Sequence, residues 1–312
     1  MSMKLGWSKW LFALLLSSLG MACQQVPKST GIPVLIDADT ANEIDDLYAL
    51  AWAVADDRLQ LLGITAAQFH SSPLASDTSA LESQALNQDL LRLMDRQDIP
   101  ALPGSNEPLS AADQAADSPA ARFIVQQAQQ MPSGEKLPII ILGSCTNVAS
   151  AILLDSNIVS KIRVLYLGFW HDPATNTYDK KEFNSGNDTL AVNLLLNTPN
   201  LEMSVMTATT SQQLVFEKAE VDRQFQHKTT IGPYLQKRWE TYQRWWTEED
   251  PNKERWIMWD IAIIAALSHP EWATLQSFPT PPENTQRPIG IYTQIQTDSI
   301  QSAFWTLLQA FP

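Results

Sequence analysis

An open, mostly parallel α/β sheet of Rossmann-like type, with helices on both faces, is predicted by three observations. Apolar runs of strand length alternate with segments of helical periodicity, several of those runs are apolar without a break, and aspartates gather directly after the first of them. Strands covered on both faces read as continuous Val, Ile and Leu, whereas half-exposed strands alternate with polar residues. The 312 residues, 45% hydrophobic and without internal repeats, suffice for one large core.

Lys4 and Lys9, the apolar stretch Trp10 to Leu16 and Gly20-Met21-Ala22-Cys23 read as an export signal over residues 1–22. The stretch is too short for a membrane span, which takes about 20 apolar residues. Cys23, followed by Gln24 and Gln25, resembles the acceptor cysteine of bacterial lipoproteins. Leu19 stands one place early for that box, so plain cleavage after Ala22 is the other reading. The mature chain is expected in the periplasm, touching a membrane only through a lipid on Cys23, with residues 23–31 as a short tether and 32–312 as a single domain. Cys145 is the one other cysteine and lies in an apolar run, so a disulfide framework is excluded and the fold must rest on its core.

Val34-Leu35-Ile36 is the first strand, and Ile44, Leu47, Leu50, Ala51 and Val54 mark the core face of the next helix. Leu61 to Thr65 is a strand, Ser79 to Met94 a helix, and Arg96 to Pro108 a loop with three prolines. Ala120 to Met131 reads as a helix and Leu137 to Leu142 as a strand, which runs through Gly143-Ser144-Cys145-Thr146-Asn147 into the helix Val148 to Leu154. Arg163 to Gly168 and Leu201 to Thr207 are strands that flank a helix from Asp188 to Leu196. Tyr234 to Trp246 is an aromatic helix, Thr247 to Arg255 a charged loop, and Trp256 to Leu267 a helix. Ile289 to Gln294 and Ser299 to Leu308 close the chain as strand and helix.

The formal net charge of −13 excludes the basic footprint that nucleic-acid binding needs. Four acids, Asp37, Asp39, Asp45 and Asp46, sit between the first strand and the first helix, at the sheet edge where open α/β folds bind ligands. Carboxylates this dense repel one another, so a hard divalent cation with oxygen ligands is the expected partner. The competing reading is helix capping by Thr40 or Asn42, with Asp45 and Asp46 complementing the helix terminus. Capping accounts for one or two of these acids and leaves the others unexplained.

Asp37-Ala38-Asp39 followed by Asp45-Asp46 resembles the N-terminal signature of the inosine-uridine-preferring nucleoside hydrolase superfamily, with two more residues in the intervening loop than its commonest version. Leu142 to Ala149 resembles its second signature. Glu182-Phe183-Asn184, with Asn176 before and Asp188 after, resembles its sugar-binding segment, and Asp260 in Trp259-Asp260-Ile261-Ala262 matches a late calcium-ligand aspartate. Four matches in order over about residues 32 to 270 are more specific than any one alone.

The resemblance implies a nucleoside hydrolase-like fold and calcium-dependent cleavage of an N-glycosidic bond to free base and ribose. It implies that Asp39, Asp46, Asp260 and the Leu142 carbonyl hold Ca²⁺, with Asp39 taking the proton of the attacking water. Asp45 and Asp260 would grip the ribose diol, Asn176, Glu182 and Asn184 the remaining hydroxyls, and Asp37 would orient its neighbours. Where many members place a general-acid His before the late aspartate, this chain has Trp259. A purine-preferring branch has Trp-Asp there and activates the base by stacking, so Trp259 is expected to stack on a purine. Trp245, Trp246 and Trp256 are candidate partners, although core packing is the stronger reading for Trp245 and Trp246. His70 stands where a ligand-contacting Asn is usual, with base or sugar contact and simple solvation equally open; the direction of His171 and Asp172 is open as well.

Asp37-Ala38-Asp39-Thr40 also resembles a haloacid-dehalogenase-type nucleophile motif, but Ala41 stands where Thr or Val belongs and the following Asp-Asp has no place in it. The rival from another class is an exported calcium-dependent sugar- or ribosyl-binding lipoprotein without turnover. The base and the oligomeric state, with a homo-oligomer among the options, stay open.

Overall fold

The computed structural model describes residues 1–2 and 31–311. The expected export signal from residue 3 onward and Cys23 lie outside the described residues.

In chain order the strands are β1 (Ile32–Ala38), β2 (Leu59–Ala66), β3 (Ala101–Pro103), β4 (Leu137–Ile141), β5 (Ile162–Gly168), β6 (Trp170–Asp172), β7 (Thr177–Asp179), β8 (Glu202–Thr207), β9 (Val215–Glu217), β10 (Arg255–Ile257), β11 (Ala273–Pro279) and β12 (Pro288–Ile295). The helices are α1 (Asp45–Ala55), α2 (Ser79–Leu93), α3 (Pro119–Gln130), α4 (Thr146–Leu154), α5 (Phe183–Asn187), α6 (Thr189–Asn197), α7 (Ala208–Ser211), α8 (Lys218–Phe225), α9 (Ile231–Thr241), α10 (Ile261–Ser268) and α11 (Thr297–Gln309).

Eight strands form one sheet in the order β11-β12-β8-β5-β4-β1-β2-β3, parallel except for the antiparallel β11–β12 edge. The predicted parallel α/β class is therefore the fold. β1 lies between β4 and β2, with Asp37 level with Ile141 on one side and Thr65 on the other. Alternation then sorts its side chains: Val34, Ile36 and Ala38 pack with the α1, α10 and α11 face, and Leu35 with the α3, α4 and α6 face. Parallel strands that share a direction end at one edge, so the loops after Ala38, Ala66, Ile141, Gly168 and Thr207 open on the same side.

Local chemistry sets several boundaries. Ser118 accepts from the Ala121 amide at 3.2 Å with Pro119 in the first turn of α3, and Asp188 accepts from the Ala191 amide at 2.9 Å at the head of α6. Three expectations need correction. The helix expected over Tyr234 to Trp246 stops at Thr241, because the Arg244 guanidinium takes the carbonyls of Glu249, Asp250 and Arg255 and turns the chain away. The helix expected from Trp256 starts at Ile261; Arg255–Ile257 pair antiparallel with β9 instead. The proline loop contains β3, an edge strand short enough to carry Pro103 without losing a ladder bond on a covered side. Among the described residues no helix is long and apolar enough to cross a membrane.

Ile140 is fully buried in the central sheet, whereas Leu275 on β11 is 50% exposed. Ile140→Ala should cost about 2–5 kcal/mol in urea unfolding, and Leu275→Ala should stay within about 0.5 kcal/mol. Equal costs would contradict this placement of the core.

Candidate active site

Asp37 ends β1 inside the protein. Its Oδ1 accepts from Thr65 Oγ1 at 2.6 Å and Asn147 Nδ2 at 2.9 Å, while Oδ2 is buried without a protein partner. Burial, opposed by those two bonds, raises its pKa to about 7. It is not among the residues that line the cleft.

Asp39 lies one turn further on, and its Oδ2 too is buried without a partner. Gly143 passes so close that a Cβ there would sit 2.7 Å from the Asp39 carboxyl carbon. The loop 40–44 is clamped from outside: Thr40 Oγ1 donates to Asn87 Oδ1 at 2.6 Å, Arg238 Nη2 to the Ala41 carbonyl at 2.7 Å, and the Tyr242 hydroxyl to the Asn42 carbonyl. Held this way, the extended loop places Asn42 and Glu43 on the cleft wall. Helix α1 begins after Ile44 with no side-chain cap. Asp45 and Asp46 do stand in its first turn, where negative charge complements the helix terminus, but that leaves Asp39 unexplained.

Asp260 arrives from β10 at the head of α10. One oxygen each from Asp45, Asp46 and Asp260 lies within 4.8 Å of the others, and Asp46 Oδ1 is a further buried oxygen without a partner. Two unit charges at that separation repel by roughly 3–4 kcal/mol at an effective dielectric near 20. Burial first, and then mutual repulsion, pushes the carboxyls of Asp39, Asp46, Asp260 and Glu43 well above the usual range, and burial takes Asp45 to about 7. Orphaned buried oxygens in an all-carboxylate set are what a hard, oxygen-seeking divalent ion satisfies, so these residues fit such a metal.

The cleft around them encloses about 210 Å³, room for a small flat ligand and below the roughly 300–1,000 Å³ of drug-sized sites. Leu142 lines it, and its carbonyl accepts from Asn184 Nδ2 at 2.6 Å, which leaves that oxygen one lone pair. Glu182, also on the wall, accepts from the amides of Phe169, Asn184 and Ser185 and from Ser185 Oγ, and so braces the turn that carries Asn184. Trp259 lines the cleft edge-on to Trp170, ring centres 6.0 Å apart at 87°. Trp170 gets there because Phe169 adopts φ 27°, a strained turn held by Glu182 and Ser185.

Two of the expected substrate contacts lie elsewhere. Asn176, at φ 51° on the β6–β7 turn, bonds His171 Nε2 at 3.0 Å and does not line the cleft; His171 is buried against Tyr178 and Phe278. His70 is exposed and bonds Gln68 Oε1 at 2.9 Å, also off the wall. Conversely Glu43, Trp170 and Phe183 are wall residues that the sequence reading assigned no role, Asn42 lies on the wall rather than capping α1, and Trp245 and Trp246 face the cleft rather than the core. Trp256 is core, its indole donating to Glu43 Oε1 at 2.6 Å.

Raised carboxyl pKa values mean that the folded state holds these protons more tightly than the unfolded state. That stabilisation is complete below the unfolded value of 3.8 and is lost as pH rises toward about 7 for Asp37 and Asp45. The chelated protein should therefore melt at progressively lower temperature from pH 4.5 to pH 8, and a bound divalent ion should flatten the trend. A melting temperature that rises with pH in chelator would refute the cluster's electrostatics.

Residues 34–298 match the family described as inosine-uridine preferring nucleoside hydrolase. A probable uridine nucleosidase 1 of Oryza sativa subsp. japonica is 24% identical over 270 residues, covering 78% of each chain. A plant nucleoside hydrolase superposes with TM-score 0.69 over 90% of this chain and 99% of its own at 16% identity. A purine-preferring ribonucleoside hydrolase from Gardnerella vaginalis does so with 0.70 over 89% and 98%, again at 16% identity. The fold, the carboxylate cleft and the family match together establish that this chain belongs to the inosine-uridine preferring nucleoside hydrolase family and is a nucleoside N-ribosyl hydrolase.

Proposed function

We propose calcium-dependent hydrolysis of purine ribonucleosides to free base and ribose. The observation that carries it is the pair of partnerless buried oxygens, Asp39 Oδ2 and Asp46 Oδ1, at the floor of a cleft with aromatic walls. Asp39, Asp46, Asp260 and the Leu142 carbonyl would hold the ion, which supplies a polarised, oriented water and an anchor for the ribose diol. Asp39 accepts the proton of that water. Asp45 and Asp260 hold neighbouring ribose hydroxyls, and Asn184, with Glu182 bracing it, reaches the rest. Such contacts count for catalysis when they strengthen as the ribosyl cation develops. Asn176 and His70 take no part in this reading.

Trp170 and Trp245 expose 37% and 38% of their surface although large apolar rings gain by burial. A flat base seated against them and Trp259 removes that exposure, and a purine covers more ring than a pyrimidine. The plant uridine nucleosidase and the purine-preferring bacterial enzyme pull the analogy in different directions, so the purine preference rests on the wall itself. We place the enzyme in the periplasm, anchored at Cys23. A binding protein without turnover remains the second reading, favoured by Trp259 standing where a proton-donating His would be.

Ribose release by the purified protein from inosine, guanosine, adenosine, uridine and cytidine, with calcium and after chelation, tests the proposal. Chelation should abolish release, and Asp39→Asn should lower kcat at least about 10³-fold while leaving the fold intact. Tight, unhydrolysed nucleoside would favour the binding protein. Trp259→Ala should lower the purine-over-pyrimidine ratio of kcat/KM by about tenfold, the scale of one stacking contact; an unchanged ratio would remove Trp259 from base recognition.

A further inference from the structure

The cleft wall is one-sided in charge. It carries six carboxylates and no Lys, Arg or His among the described residues. Glu182 is committed to four donors of its own turn and of Phe169. Asp39, Glu43, Asp45, Asp46 and Asp260 remain, five carboxyl groups for which the wall supplies no protein cation, and a divalent ion brings only two positive charges. Arg238, whose charge Asp46 feels, spends its guanidinium on the Ala41 and Glu43 carbonyls, and Arg244 lies over the Trp246 ring at 5.5 Å, which leaves Trp170, Phe183, Trp245 and Trp259 as rings without a protein cation on them among the described residues. The same wall holds five aromatic rings: Trp170, Phe183, Trp245, Trp246 and Trp259. Glu43 joins the two sets, with Trp246 beside its carboxyl and Trp256 fixing Oε1 at 2.6 Å. Excess negative charge among π faces attracts one kind of ring above others, a flat cation.

Resting on the hydrolase reading above, we propose that the preferred substrates are N-ribosides whose base is a cationic heteroaromatic ring, a purinium or pyridinium. The chemistry agrees. A neutral base must gain a proton as its bond to C1′ breaks. In a cationic riboside the electron pair of the C1′–N bond returns to the ring nitrogen and neutralises it, so the base leaves as a neutral molecule with no acid required. The water oxygen forms the new bond to C1′, and its released proton goes to the Asp39 carboxylate. Trp259 in place of a proton donor is then no deficit, since its face binds the cation in the ground state.

Two measurements on the purified calcium-loaded protein test this. The first compares the affinities of the 1-methyl-3-carbamoylpyridinium cation and of neutral 3-carbamoylpyridine by direct calorimetric titration, which needs no turnover. The cation should bind at least about tenfold more tightly, and the gap should shrink in about 0.5 M salt. The second compares kcat/KM for 7-methylguanosine and guanosine in the wild type and in Glu43→Gln, which should lower the cation-to-neutral ratio by about tenfold. Equal or tighter binding of the neutral pyridine would overturn the proposal. So would a Glu43→Gln loss that is as large on guanosine as on 7-methylguanosine, which would make Glu43 a proton donor instead. Chelator-sensitive turnover of neutral nucleosides without any cation advantage removes this inference and leaves the hydrolase reading standing; no ribose from either class removes both.

Discussion

Burial of carboxylates that the protein itself leaves uncompensated is the constraint on which the rest of this structure depends. Asp37, Asp39, Asp45, Asp46 and Asp260 are each at most 3% exposed, and an isolated buried carboxylate is costly enough to force protonation or recruit a cation. The surroundings are arranged to hold these groups in place despite their repulsion. Thr65 and Asn147 pin Asp37 from neighbouring strand and helix, Gly143 leaves room for Asp39, and α2 and α9 clamp the loop between Asp39 and Asp45 from outside. Each support comes from a different segment, so the sheet order itself is what brings them together.

The topology explains why the site sits where it does. Parallel strands discharge their loops at one edge, and β1, β4 and β5 are neighbours there. Asp39 follows β1, Leu142 follows β4, and Trp170 follows β5, with Glu182 and Asn184 further along the same connection. Asp260 is the exception, delivered by the short β9–β10 ribbon outside the main sheet. That ribbon also brings Trp256 against Glu43 and leads directly to Trp259, so one local pairing fixes a carboxylate, a loop and an aromatic wall at once.

Much of this was legible in the chain. Apolar runs identified β1, β2, β4 and β5, because strands covered on both faces have no polar side to dilute the signal, whereas β8 alternates, with Glu202 and Ser204 between Leu201, Met203 and Val205. β11 escaped because its residues are largely exposed and offer no apolar pattern, and β3 because three residues with a proline make no run. The aspartates were legible because charge density after a buried strand has few structural explanations. Glu43 stood in the same acidic segment, yet the motif gave it no place; its role depends on a loop longer than the usual version and on Trp256 some two hundred residues away. Asn176 and His70 show the opposite limit. Each matched by spacing, but one turn at positive φ and one hydrogen bond to Gln68 keep them off the wall. Trp245 and Trp246 looked like helix-packing residues because nothing in the sequence announces that Arg244 ends the helix before them.

The same construction ties stability to occupancy. A ligand that binds only the folded state stabilises it by mass action, and here the carboxylates that could hold a metal are the ones whose mutual repulsion weakens the fold. Asp39 to Asp46 lead from β1 into the first turn of α1, whose buried side chains belong to the larger of the two core faces, and Asp260 sits at the head of α10, which packs directly on α1. Relief of repulsion at the cleft is therefore transmitted through the contact of α1 with α10 into the core rather than confined to a surface loop. A carboxylate cluster built on loops alone could rearrange without consequence for the sheet; one that starts two core helices cannot, because Asp45, Asp46 and Asp260 are the residues from which those helices begin.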